Sequence, residues 1–406
     1  MTQNRTFLTI ACTLATIAFA QAEPAIDYNQ PPTPSSTKAR LAPPVTGKKP
    51  GDLLSHEEIG TDIKGARAWK VRYVSKDVND VLHEVTGLVI APEEKGKDRK
   101  VLTWCHGTTG IGDAACPSAQ PNPARNLIAY YDAPSTQQID YGVPGLQGFI
   151  DDGYVVCATD YQGQGSPGQH QYEVNRTQAR DAVNLIHAAR ALDLGMGNKF
   201  GCAGWSQGGG AAAAVAELEA ADYGDLKLVG TVPMSPVTTA IIFGFPSGPT
   251  ALSLDPSKAP EVHVAMMLAG LQSANPDTLK LSDFFTPLGV EIIETSWNIQ
   301  PVHHLGDTID RLHLLKGAVT QAKPANLDAW KKAVAAASGG TRKPCAPMLL
   351  CVDNGTLNPL PWQQALATEV TKLGGNVETK SYPKDDHFSL PNSCAPDAHN
   401  WLNGLF

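Results

Sequence analysis

Phe200-Gly201-Cys202-Ala203-Gly204-Trp205-Ser206-Gln207-Gly208-Gly209-Gly210, running into the alanine-rich Ala211 to Ala221, is the stretch on which the reading of this chain turns. The apolar run ending at Ala203 has the character of a buried strand, and the alanines after the triple glycine that of a helix. Between them, Gly204 to Gly208 fit the pattern G-x-S-x-G. A sharp strand-to-helix turn there lifts the serine hydroxyl above the edge of a sheet and crowds its neighbours, which is why glycine is required on both sides. Ser206 is therefore the expected nucleophile.

The flanking sequence supplies the sheet that such a turn needs. Ala68 to Val74 and Leu82 to Ile90 alternate apolar and polar residues, as opening antiparallel strands do. Val101 to Cys105, Tyr154 to Ala158 and Phe200 to Ala203 are continuous apolar runs closed by glycine-bearing turns, the pattern of strands covered on both faces by helices. Glu173 to Leu192 has the apolar spacing of a crossover helix, and Ala211 to Ala221 reads as a second. Leu226 to Met234, Pro347 to Val352 and Val377 to Tyr382 complete the strands. The expected class is α/β, a mostly parallel central sheet with helices on both faces. Its core covers residues 54–234 and 344–406. Residues 235–343 far exceed an ordinary crossover and contain helical patches, so they read as an inserted helical cap or lid.

A serine hydroxyl needs a base, and in this architecture the chain order is nucleophile, acid, base. His387 lies just past the last expected strand, where a loop can return an imidazole to Ser206. The oxyanion formed on attack needs two backbone N–H donors. Gln207, next to the nucleophile, is one. The other is expected in His106-Gly107-Thr108-Thr109-Gly110, with Thr108 first and Thr109 second. The acid slot, three residues past Gly355, holds Asn358 rather than aspartate, and Asp353 at the strand end is the competing candidate. An amide can orient an imidazole but cannot stabilise its cation by charge. The other histidines read as surface or packing residues, and His303-His304 is not a metal-ligand spacing.

At the N-terminus, Arg5, the apolar run Phe7 to Ala20 and the small residues after it read as a cleavable signal peptide, too short to span a bilayer; Ala18-Phe19-Ala20 and Ala20-Gln21-Ala22 compete as cleavage patterns, and cutting after Ala22 is preferred, which sets the leader at residues 1–22. A Pro-rich flexible lead-in is expected over residues 23–53. Formal charge is −8, or −9 once Arg5 is removed, with the basic residues scattered. That excludes nucleic acid as a natural partner. Seven cysteines follow the leader; four lie in or beside apolar runs, and Cys116, Cys345 and Cys394 sit among Pro, Ser and Ala. An export compartment favours oxidation, and Cys345 with Cys394 is the expected bridge.

Taken together these segments resemble the secretory lipase family, lipase A type. The matching residues are Val71-Arg72-Tyr73, Val85-Thr86-Gly87-Leu88-Val89-Ile90-Ala91-Pro92 and His106 to Gly110. To these add Ala158-Thr159-Asp160-Tyr161-Gln162-Gly163-Gln164-Gly165, Gly204 to Gly209, and Asp385 to His387. The resemblance implies an α/β-hydrolase fold, a helical lid over an acyl pocket, hydrolysis of acylglycerols or other carboxylic esters, and no cofactor. The expected partner is a small-molecule or lipid ester as substrate, with transient contact with lipid interfaces, and no obligate protein partner is evident in the sequence. Ile241, Ile242, Phe243, Phe245, Met266 and Met267 are candidates for lining the acyl pocket or for packing within the cap. The chain departs from the family at Asn358, and the inserted region contains no cysteine to tie a lid to Cys116. A secreted peptidase or acyltransferase, and an inert hydrolase-like binding protein, are the rival readings.

Overall fold

The structure, a computed structural model, describes residues 38–127, 141–244 and 254–406. The expected signal peptide and the first part of the lead-in lie outside these residues. The strands are β1 (Leu53–Ile59), β2 (Ala66–Lys76), β3 (Leu82–Pro92), β4 (Arg99–Cys105), β5 (Val155–Thr159), β6 (Met196–Trp205), β7 (Lys227–Met234), β8 (Met348–Val352) and β9 (Val377–Ser381). They form one sheet in the order β1-β2-β3-β5-β4-β6-β7-β8-β9. The first three are antiparallel, β3 pairs antiparallel with β5, and β5 through β9 run parallel.

The helices are α1 (Leu146–Asp151), α2 (Asn175–Ala189), α3 (Gln207–Val215), α4 (Ala220–Tyr223), α5 (Ala240–Phe243), α6 (Val262–Ala274), α7 (Pro287–Ser296), α8 (Val302–Lys316), α9 (Leu327–Ala337), α10 (Leu360–Lys372) and α11 (Leu390–Asn403). Alternate strand residues separate onto the two faces of the sheet. Trp69, Val71, Val101, Val155 and Phe200 pack with α2 and α3, while Leu102, Trp104, Val156, Ala203 and Trp205 pack with α1 and α11. Each fully buried aliphatic side chain contributes about 1.5–3 kcal/mol, so two such layers suffice to hold the sheet without cross-links. No helix among the described residues is long and apolar enough to cross a membrane.

Several expectations need correcting. β1 falls where the lead-in was expected to end; its residues alternate poorly and are mostly exposed, and it is an edge strand held by backbone pairing with β2. The end of the lead-in is also held rather than loose. Lys38 pairs with Asp113 at 2.5 Å, and the Arg40 guanidinium donates to Gln169 and Gln272. The expected helix Ala211–Ala221 begins four residues earlier and is split into α3 and α4. The bridge between Cys345 and Cys394 does not form: all seven described cysteines are free. Cys394 belongs to α11 rather than a loop, with its thiol buried, whereas Cys345 is exposed and touches the Tyr223 hydroxyl.

Between β7 and β8 the chain makes α5 to α9. Met266, Leu271, Phe284, Phe285, Ile292 and Trp330 build an apolar cluster there, joined by Ile111 and Tyr172 from loops at the strand ends. Ile241, Met266 and Met267 are buried within this cluster, so of the candidate acyl-pocket residues these three pack as core. The side chains of Ile242 and Phe243, and Phe245 itself, lie outside the described residues.

Candidate active site

β6 ends at Trp205 and α3 starts at Gln207, leaving Ser206 alone to make the turn. Its backbone sits at φ 57° and ψ −117°, a conformation that L-residues adopt only under constraint. The constraint is visible. The Ser206 N–H donates to Met234 O at 2.9 Å, and the Ser206 carbonyl accepts from Gly209, Gly210 and Val237. The flanking glycines are obligatory for space. A Cβ on Gly208 would lie 1.9 Å from the Cys105 carbonyl oxygen, and one on Gly204 would lie 2.1 Å from that of Gly208. Tyr161, Glu173 and Ser235 also have positive φ, so strained backbone gathers in the strand-end loops around this turn.

His387 comes from the loop after β9, 181 residues away in sequence. Its Nε2 is 2.9 Å from the Ser206 Oγ. With the serine O–H donating to Nε2, the ring carries its proton on Nδ1. That N–H faces Asp353 Oδ2 at 3.2 Å and Ser235 Oγ at 2.9 Å. Trp205 and Phe388 wall the imidazole at 5.2 and 5.4 Å between ring centres. Ser206, His387 and Asp353 are all buried.

Of the two acid candidates, the geometry brings Asp353 to the histidine and not Asn358. Asp353 Oδ1 accepts from Gln363 Nε2 at 2.6 Å and from the Gly355 N–H at 2.7 Å, which leaves Oδ2 to the imidazole. Asn358 instead donates through Nδ2 to the carbonyls of Ser235 and Pro236, at 3.1 and 2.9 Å. It pins the bend after β7 rather than the ring. Gln363 of α10 ties the two positions together by donating to Asn358 O as well. Ser235 and Gln363 carried no signal in the sequence, since neither belongs to a motif.

Burial alone would raise the Asp353 pKa, but hydrogen bonds from His387, Ser235, Gln363 and the Gly355 amide outweigh it and hold the group below the usual carboxylate range. His387 is pushed below 6.5 by burial, with His263 adding to the effect, against the opposing pull of Asp353 and Asp386. A base must be neutral to accept the serine proton, so lowering its pKa widens the working range toward acid. The acid limb of kcat/KM is therefore expected below pH 6.5; a limb at or above that value, measured with an ester whose leaving group does not titrate there, would contradict this environment.

Gln207 opens α3, where its N–H has no acceptor within the helix. Thr108 lies in the loop after β4. Both are gripped by one segment: the Gln207 side chain donates through Nε2 to His170 Nε2 at 2.7 Å, leaving the backbone N–H unspent by that bond, and the Thr108 hydroxyl meets the Tyr172 hydroxyl at 2.7 Å. Burial lowers His170 to about 3, so it stays neutral; Nδ1 donates to Gln162 O and Nε2 accepts. Of the surface and packing roles expected for the other histidines, His170 takes the packing one, as a buried brace for the Gln207 side chain. The neighbouring Thr109 accepts at its carbonyl from the Val302 N–H of α8, and Gly110 bridges to Pro301. The loop is thus joined by backbone to the segment between β7 and β8.

No group of histidine, cysteine and carboxylate side chains among the described residues is arranged to hold a metal. A cavity of about 420 Å³ is lined by Asp77, His83 and Gln171, but not by Ser206 or His387. The nucleophile lies under cover, 7 % exposed.

The secretory lipase family model matches residues 132–244, a span that includes Ser206 and Ser235. A ligand-bound form of the rice cell wall degrading esterase LipA from Xanthomonas oryzae is similar in structure, with a TM-score of 0.67 at 19 % identity, covering 88 % of this chain and 100 % of the other. Candida antarctica lipase A gives a TM-score of 0.58 at 15 % identity, over 88 % of this chain and 83 % of the other. No curated protein matches by sequence. The chain has the α/β-hydrolase fold. The resemblance to secretory lipases is borne out by the family match, and with it the class of ester-hydrolysing enzyme.

Proposed function

We propose that this chain is an exported serine carboxylic-ester hydrolase working through an acyl-enzyme on Ser206. One observation carries the reading: an unbroken line of contacts from the Ser206 hydroxyl through His387 to the ionised Asp353. His387 takes the serine proton as Oγ attacks the ester carbonyl. The Gln207 and Thr108 amides hold the oxyanion, and Asp353 stabilises the imidazolium. His387 then returns the proton to the departing alcohol, and a water activated by the same imidazole releases the acid. The helices between β7 and β8 act as a cap above the acyl site. Export follows from the Arg5 and Phe7 to Ala20 pattern.

A fluorophosphonate probe tests the mechanism directly. It should label the folded protein at Ser206, and Ser206→Ala should abolish labelling. p-Nitrophenyl esters should be turned over far faster than peptide anilides. Faster cleavage of the anilides would make the chain a peptidase, and a folded protein that resists the probe would make it an inert relative.

A further inference from the structure

Ser235 ends β7 one residue past its last strand position, and nothing in the scheme above uses it. Its φ of 41° is a conformation serine adopts rarely, yet it is fully buried and held there at three points. Its N–H donates to Cys351 O at 2.8 Å, and its carbonyl and the next one accept from the Asn358 amide. The result aims Oγ at His387 Nδ1, 2.9 Å away, closer than the 3.2 Å that separates Nδ1 from Asp353 Oδ2. The same hydroxyl is among the groups that hold the Asp353 carboxyl below the usual carboxylate range.

Donor counting fixes the direction of each bond. Nδ1 carries the ring proton because Nε2 accepts from Ser206, so Ser235 Oγ must accept from Nδ1–H. A hydroxyl that accepts there still has one proton to give. The ionised Asp353, whose Oδ2 lies on the same Nδ1–H, is the acceptor beside it. The Asn358 nitrogen, 3.4 Å from Oγ, is a donor and cannot compete for that proton.

We infer that Ser235 is a positioning residue of the proposed triad: its hydroxyl bridges His387 Nδ1–H to the Asp353 carboxylate, so that part of the aspartate's charge reaches the imidazole through an O–H dipole. Asn358, in the slot where an aspartate was expected, holds the backbone that presents this hydroxyl. The inference rests on the serine-hydrolase reading and deepens it.

Ser235→Ala tests it, because alanine keeps the Cβ and the same backbone demand while removing only the hydroxyl. A lost hydrogen bond to a charged group should lower kcat for a p-nitrophenyl ester about tenfold to hundredfold, with KM unchanged. A role confined to structure would not depend on the aspartate, so the same substitution is made in an Asp353→Asn background. There the Ser235→Ala effect on the rate of fluorophosphonate labelling should shrink to less than about twofold, since no charge remains to relay. Thermal unfolding of each variant shows that the fold is retained. Wild-type kcat in folded Ser235→Ala overturns the inference, as does an undiminished effect in the Asp353→Asn background. If the wild-type protein itself resists labelling at Ser206, the hydrolase reading fails and the bridge fails with it. If labelling is normal and only the Ser235 effects are missing, the bridge alone fails.

Discussion

His387→Ala should reduce ester turnover about 10⁶-fold while leaving the fold intact, the scale on which removing the base of a serine triad acts in a serine protease. The size follows from the geometry. Among the described residues Ser206 Oγ has one partner able to take its proton, the Nε2 at 2.9 Å, and the turn that holds the serine fixes its direction. Without that nitrogen the attacking group is a hydroxyl with its proton in place. Binding should survive, because the cap cluster and the loop carrying Thr108 do not depend on the ring, so KM is expected to stay within about threefold. The fold should tolerate the change as well. His387 is on a loop, and its ring contacts with Trp205 and Phe388 are a small part of the core. Steady-state kinetics with circular dichroism checks both halves; turnover within tenfold of wild type would show that another group takes the proton.

Asp353→Asn should cost about 10⁴ in kcat, the penalty this swap incurs in a serine-protease triad. An asparagine presents either an amide oxygen without charge or an amide nitrogen that repels Nδ1–H. Either way the imidazolium loses its counter-charge and the ring its preferred tautomer. Gln363 and the Gly355 N–H, which now donate to Oδ1, would favour the amide oxygen on their side. That turns the NH2 toward the histidine. Asn358→Asp in the same background should not restore activity, because position 358 faces the Ser235 and Pro236 carbonyls, where a carboxylate would be repelled. Recovery in that double variant, read as kcat, would move the acid to position 358 and undo the assignment.

What the sequence could and could not disclose follows from how far each contact reaches. The elbow was legible because strand, glycines, serine and helix are contiguous, and steric rules act between neighbours. The two-face sheet was legible through its apolar runs. β1 was not, since Leu53-Leu54-Ser55-His56-Glu57-Glu58-Ile59 has little side-chain pattern, and only Leu53 and Ile59 at its ends pack on the core while the rest is held at the edge by pairing with β2. The start of α11 was concealed by Pro391 and Pro396, which suggest a loop; yet Pro391 stands in the first turn, where a missing N–H is harmless, and Pro396 is accommodated inside. That misreading placed Cys394 in a loop and made a bridge to Cys345 plausible. The acid could not be settled because the choice depends on side-chain direction at the end of β8. Gly355 and Gln363 fix that direction, and neither announces itself. Ser235 was invisible for the same reason: a lone serine after a strand acquires meaning only when an imidazole arrives from 152 residues away.

The seam between Thr109–Gly110 and Pro301–Val302 has a mechanical corollary. In the proposed scheme, were α8 to move aside for an ester, the bond from Val302 to Thr109 would draw the strand-end loop with it, so admission of substrate and placement of the Thr108 amide would share one lever. An ajar enzyme would be a poor catalyst even with Ser206, His387 and Asp353 in register, and full power would return only when the seam closes again over a bound ester. Such a coupling would protect bystander esters from a half-open protein, at the cost of making every turnover wait for the door.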